Sequence, residues 1–149
     1  MNDAEIALNN AQRRYPIDDL SRPLTDLRHH RQSIFSMPPA RITDDTKFAT
    51  NNPDHPCAET NRFRRQRAAD FFKLLATGQP SSFSTAVLAE LHESLFDRDP
   101  AVRMTVAETL GILRRPESLP HLHRLLESED ESAWVRNTTK AAIDRCSTI

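Results

Sequence analysis

The sequence predicts an all-α protein in which a short α-solenoid of helical hairpins follows an extended or partly disordered N-terminal arm. Three observations support this prediction. Ten prolines accompany only two glycines, a composition that suits helices ended by proline better than tight β-hairpins. After about residue 60 the apolar residues follow helical spacing, and short segments recur along the chain. Before residue 60, six prolines divide the chain into short pieces, so the two parts differ in kind.

Residues 1–61 are predicted to form an arm with one or two short helices. One helix is predicted over Asp3 to Arg14, and another begins at Ser21 as N-cap, with Pro23 in its first turn. Apolar residues fall roughly on one side of this second helix: Leu20, Leu24, Leu27, Ile34 and Phe35. Such a stripe must dock, either back on the solenoid or as a recognition helix in a partner. The polar segment 43–61 is predicted to be a linker or a mobile arm.

Residues 62–147 are predicted to form the solenoid, with helices at about 62–76, 84–96, 100–114, 117–127 and 132–146. The segment that begins at Arg65 aligns with the segment that begins at Arg103, a separation of 38 residues. A second alignment sets Leu88 against Leu119. Because the loops are short, neighbouring helices should pack antiparallel, and stacked pairs should share one continuous core.

The segment from Asp97 to Leu113 resembles the signature of HEAT repeats, in particular a short bacterial type similar to phycocyanobilin-lyase-like repeats. In that family, an aspartate in the turn and an arginine early in the second helix form a ladder between repeats. The matching positions are Asp99, Arg103, Ala107, Leu110 and Gly111. A later, degenerate copy keeps Asp130, Val135 and Arg136. The resemblance covers about residues 62–146 and implies that Arg103 and Arg136 are ladder residues.

The residues that could bind a metal or take part in catalysis lack the neighbouring residues that such sites need. His92 and Glu93 are adjacent, as in the HEAT-like iron-binding hydroxylases that this sequence resembles, but the later copy has His123 followed by Arg124, so a second carboxylate is absent. His29-His30 and His55-x-Cys57 lack the spaced partners of a coordination sphere. With two glycines, the chain has no phosphate loop or nucleophile elbow. We therefore predict no catalytic residue, no metal site and no bound cofactor.

Two features predict a surface for a partner. The first is the arginine patch, which consists of Arg62, Arg64, Arg65 and Arg67. It is either a patch for phosphates or an acidic partner, or a solvated helix face. The second is the surface of the second helix in each pair, around Glu108, Thr109, Ile112, Thr139 and Lys140. Trp134 is either an interface anchor or a core residue.

The predicted function is that of a non-enzymatic scaffold or adaptor that binds another protein through its repeats, while the arm ties it into a larger assembly. Two alternatives are an accessory subunit for chromophore or cofactor attachment, and nucleic-acid binding through the arginine patch. The net charge of −1 makes nucleic acid a poor expectation. No apolar run reaches the length of a membrane span and no signal peptide is apparent, so a cytoplasmic protein with reduced Cys57 and Cys146 is expected.

Overall fold

The computed structural model describes residues 3–29, 31, 33–36, 59–128 and 131–147. Over these residues the chain consists of seven α-helices joined by turns and short 3-10 segments, which confirms the all-α prediction. The helices are α1 (Asp3–Ala11), α2 (Ser21–Arg28), α3 (Glu59–Gly78), α4 (Thr85–Ser94), α5 (Pro100–Leu113), α6 (Leu119–Leu126) and α7 (Ala133–Ser147). None of the described helices is long and apolar enough to cross a membrane.

Local sequence explains where the central helix begins and ends. The side chain of Asp99 caps α5 by accepting a hydrogen bond from the Ala101 backbone N–H at 3.0 Å. Pro100 follows in the first turn, where its missing N–H leaves no helical bond unmade. The helix ends at Arg114, which adopts a left-handed conformation with φ of 54° and donates its backbone N–H to the Leu110 carbonyl. The start of the helix therefore follows its sequence signals, whereas its end places an arginine in a conformation that glycine usually adopts.

The helices form two layers. Helices α3, α5 and α7 lie side by side as an inner row, because α5 contacts both of the others. Helices α2, α4 and α6 form the outer layer, and they pack on α3, α5 and α7 respectively. Three stacked helical pairs therefore make up the short solenoid, and a single apolar core runs through them.

The first helical pair consists of α2 and α3, so its outer helix comes from the predicted arm. Helix α2 packs against both α3 and α4, and Leu27 is fully buried in the common core. Of the predicted linker, residues 43–58 lie outside the described residues, while residues 59–61 begin α3. The apolar stripe thus docks back on the solenoid, which decides between the two alternatives for it.

The arm is also attached by α1 and by residues 33–36. Leu8 of α1 packs so closely on the end of α3 that a Cβ added to Gly78 would lie 2.8 Å from the Leu8 Cδ2 atom. Tyr15 is buried with its ring 5.1 Å from Phe71. Further along, the Ile34 N–H donates to the Phe96 carbonyl at 2.9 Å in the turn between α4 and α5. The described part of the arm is therefore more closely packed than its composition indicates.

Ion pairs join the end of α2 to α4. The Arg31 guanidinium donates to Glu93 at 2.8 Å and to the Ser94 hydroxyl at 2.7 Å. Arg28 pairs with Glu90 at 3.3 Å. Phe35 is half exposed and packs at a tilt against Phe96, with ring centroids 5.0 Å apart. The Arg124 guanidinium lies 4.1 Å from the centre of the Phe35 ring. These contacts hold the arm across the outer side of the second pair.

Candidate partner-binding site

The inner row carries an arginine at an equivalent position in each helix. Arg103 and Arg136 are the fourth residues of α5 and α7, and Arg65 is the seventh residue of the longer α3. Arg103 is fully buried, and its Nε and Nη2 atoms donate to the two carboxylate oxygens of Glu131, both at 2.7 Å. Its Nη1 atom donates to the carbonyls of Asp97 and Arg98. Arg103 is thus a ladder residue, as predicted, and its planar fork satisfies four acceptors.

Arg65 forms the preceding rung of the ladder. Its Nε atom donates to Asp97 at 2.9 Å, and both side chains are almost completely buried. Burial raises the pKa of Asp97 to about 6, against the opposing effect of the Arg65 charge. Each rung therefore joins an inner helix to the turn that precedes the next inner helix.

The carboxylates of this ladder differ from the predicted ones. Asp99 caps α5 and lies 3.4 Å from Arg62, while Asp97 and Glu131 hold the ladder arginines. Asp130 lies outside the described residues. Arg136 donates to the Ser128 carbonyl at 2.8 Å and forms no ion pair among the described residues. The sequence does show that acidic residues stand in the turns before α5 and α7, where the ladder carboxylates lie.

The arginine patch is largely neutralised within the chain. Arg65 has no exposed surface, so its prediction as a partner contact is corrected: its partners are Asp97 and the His29 carbonyl. Arg62 lies near Asp99, and Arg64 near Asp26 at 3.6 Å. Arg67 is exposed and forms no ion pair among the described residues. Of the four arginines, Arg67 keeps the most freedom to meet a partner.

The residues of α5 and α7 that were predicted to contact a partner are either buried or at least partly exposed. Thr109 and Thr139 are fully buried and donate their hydroxyls to the carbonyls four residues earlier, so neither side chain reaches the surface. This corrects their assignment as partner contacts. The remaining predicted residues keep some exposure: Glu108, Ile112, Trp134 and Lys140. Trp134 is 76% exposed, which places it on the surface rather than in the core.

A groove of about 490 Å³ crosses the inner row. On α3 and α5 it is lined by Lys73, Glu108 and Ile112, and the Lys73 ammonium pairs with Glu108. Its α7 wall contains Asn137, Thr138, Ala141, Ala142 and Arg145. The groove is therefore a shared product of three helices, and two of the predicted contacts, Glu108 and Ile112, lie in it.

The histidines of the outer layer make contacts within the protein. The His92 ring stacks on His121 with centroids 4.0 Å apart, and its Nε2 atom lies 2.9 Å from the Ser118 hydroxyl. Burial, and then the neighbouring His121, lower the pKa of His92 to about 4. Among the described residues, no group of three His, Cys, Asp or Glu side chains could hold a metal ion. His55 and Cys57 lie outside them.

Comparison with known sequences agrees with this architecture. The family described as HEAT repeats matches residues 61–144, which is more than half of the chain. This chain belongs to the HEAT-repeat family. The match begins near the start of α3, so α1 and α2 lie outside the matched residues. A search of curated proteins and a search of solved structures found no match.

Proposed function

We propose that this HEAT-repeat protein is a non-enzymatic scaffold or adaptor that binds a partner protein across the row of α3, α5 and α7. The observation that carries the proposal is the groove of about 490 Å³, which is built by all three inner helices. Stacked helical repeats commonly present such an extended surface for binding. The groove joins apolar surface at Ile112 to charged groups at Lys73 and Arg145, a mixture suited to a protein surface.

Trp134 supports the same proposal. A largely exposed tryptophan contributes little to the core, whereas buried tryptophans at interfaces are among the strongest anchors. It lies in the first turn of α7, and Asn137 of the groove follows three residues later. We propose that a partner seated on the inner row also covers this ring.

The test compares two equal substitutions on opposite layers. Ala141→Glu places a charge in the groove, whereas Ala89→Glu places the same charge on an exposed position of α4 in the outer layer. Proteins captured from the native cell by the tagged full chain are compared by mass spectrometry. We expect Ala141→Glu to lose partners that Ala89→Glu retains. Equal capture by both variants would contradict the proposal. Deletion of the arm is unsuitable here, because Leu8, Tyr15, Leu27 and Ile34 belong to the core.

Narrower proposals depend on the resemblance to short bacterial repeats of the phycocyanobilin-lyase-like type. An accessory role in chromophore or cofactor attachment would require the purified protein to carry colour or to retain a cofactor during purification. Nucleic-acid binding through the arginine patch is weakened by the internal pairing of Arg62, Arg64 and Arg65. A steep loss of retained nucleic acid with rising salt would restore that alternative. A cytoplasmic location remains part of the proposal.

A further inference from the structure

A second cavity lies where the end of α1 meets α3, and we call it the arginine pocket. It has a volume of about 480 Å³, and its principal lining residues are Arg13, Arg14, Arg67, Asp70, Phe71 and Leu74. Arg13 and Arg14 come from the arm, outside the residues that match HEAT repeats. The pocket is therefore a feature of this chain rather than of its repeats in general.

The pocket has an excess of positive charge. Three guanidinium groups line it together with one carboxylate, that of Asp70. Burial raises the pKa of Asp70, and the Gln66 side-chain amide donates to this carboxylate at 2.9 Å. In contrast to Arg62, Arg64 and Arg65, the three pocket arginines form no ion pair among the described residues. Since like charges in a partly enclosed site repel, an anion that enters the pocket lowers their energy.

The floor of the pocket is apolar, which restricts the kind of anion. Phe71, which is buried, and Leu74 form this apolar part of the lining. Arg67 and Asp70 also line an adjoining cavity of about 460 Å³. Phe63 lies in that adjoining cavity and is 60% exposed. From Phe63 to Leu74 the helix rises by about 16 Å, which about five residues of extended chain would cover. A short peptide segment thus fits the length of this surface.

We propose that the arginine pocket binds an acidic segment of the partner protein, with carboxylates on Arg13, Arg14 and Arg67 and an apolar side chain against the floor. This inference rests on the proposed function, since it names the chemistry of the partner. An acidic peptide suits this combination of positive charge and apolar surface better than a nucleic acid does. The apolar floor and Asp70 interrupt any continuous positive track, and the neighbouring patch arginines already hold carboxylates.

The test uses a displayed library of random peptides, selected on the immobilised full chain. Enriched peptides are then synthesised with a fluorescent label, and their affinity is measured by anisotropy for wild type, Arg67→Glu and the control Arg22→Glu. Arg22 is an exposed arginine of α2 that lines none of these cavities. We expect enriched peptides with net negative charge and apolar residues. Their affinity should fall about tenfold or more in Arg67→Glu and stay unchanged in Arg22→Glu.

A charge-swapped peptide makes the test specific. Replacing the glutamates and aspartates of an enriched peptide by lysine should abolish binding to wild type and restore part of it to Arg67→Glu. Enrichment of neutral or basic peptides, no enrichment, or equal binding to both arginine variants would each overturn the inference. The proposed function fails separately, when Ala141→Glu captures the same partners as Ala89→Glu.

Discussion

Helices α5 and α7 are the inner helices of successive pairs. They differ on the side that faces away from the preceding inner helix. In α5 this side carries Arg103, Ala107 and Gly111, which are all buried, and α7 with the turn before it packs against α5. In α7 the residues 33 positions later are a half-buried Arg136 and two exposed charged residues, Lys140 and Asp144. An alanine and a glycine allow the next helix to approach, whereas a lysine and an aspartate keep the equivalent side in water.

Helix α5 is an interior layer of the described solenoid, and α7 is an outermost layer. The two helices show which residues adapt one helical unit to each position. The inward side of α7 is conventional, with Val135, Thr139, Ala142 and Cys146 buried. Its other side is polar, as expected for a layer that is not covered by a further repeat of the described chain. The ladder arginine remains in both helices, but within the part of the chain that the structure describes Arg103 holds a carboxylate and Arg136 does not. Equivalent substitutions in the two helices should therefore differ in their effect on stability, and they are taken from the largest expected effect to the smallest.

The largest effect on stability is expected for Arg103, and the equivalent Arg136 is the matched comparison. Arg103→Met leaves the buried Glu131 carboxylate without its counter-ion and should lower the free energy of unfolding by about 3–5 kcal/mol. Arg136→Met removes one hydrogen bond at a half-buried site and should cost about 1 kcal/mol or less. Urea unfolding followed by circular dichroism measures both values.

A double variant separates the cost of an unpaired charge from the loss of packing. Arg103→Met combined with Glu131→Leu removes both buried charges, and it should recover most of the stability lost by Arg103→Met alone. Equal losses for Arg103→Met and Arg136→Met would show that the two rungs are equivalent, and the comparison would then be wrong.

The second prediction concerns a close approach of α5 and α7 at Gly111. A Cβ added at Gly111 would lie 3.1 Å from the Cα and 3.2 Å from the Cβ of Ala142. Gly111→Asp, which introduces the α7 residue into α5, should therefore cost about 1–3 kcal/mol or more, through overpacking and a poorly solvated carboxylate.

The matched change in α7 is Asp144→Gly. Because Asp144 is exposed, its side-chain interactions contribute little, and this change should cost about 1 kcal/mol, mainly from the low helix propensity of glycine. Thermal unfolding of the two variants side by side tests the difference. If Gly111→Asp is the milder change, the helices do not depend on this contact.

The central repeat was predictable from sequence because its signals are local. Asp99, Pro100 and Arg103 lie within one turn of each other, and their roles as a helix start and a ladder position need no distant information. The ladder carboxylates are different, since Asp97 and Glu131 lie 32 and 28 residues from their arginines. Several acidic residues stand in each turn, and only the packing selects one of them.

Other features could not be found from the sequence because they depend on distant segments or on helix rotation. The burial of Arg65 follows from the positions of Asp97 and of the arm, neither of which its own helix specifies. Helix α2 joins the first pair across a segment outside the described residues. Thr109 neighbours the groove residue Glu108, but one residue turns the side chain by about 100° around the helix axis, into the core.

The smallest expected effect on stability belongs to Trp134, which occupies the α7 position equivalent to Ala101 of α5. Both residues are exposed, so Trp134→Ala should change the free energy of unfolding by only about 0.5 kcal/mol. Its effect on partner capture should be much larger if the ring is an interface anchor, because truncation of such a residue costs about 2 kcal/mol or more of binding energy. The same preparation serves urea unfolding and quantitative capture. A stability loss above about 1 kcal/mol would assign the ring to packing, whereas unchanged stability with unchanged capture would remove Trp134 from the proposed surface and leave the groove to bind alone.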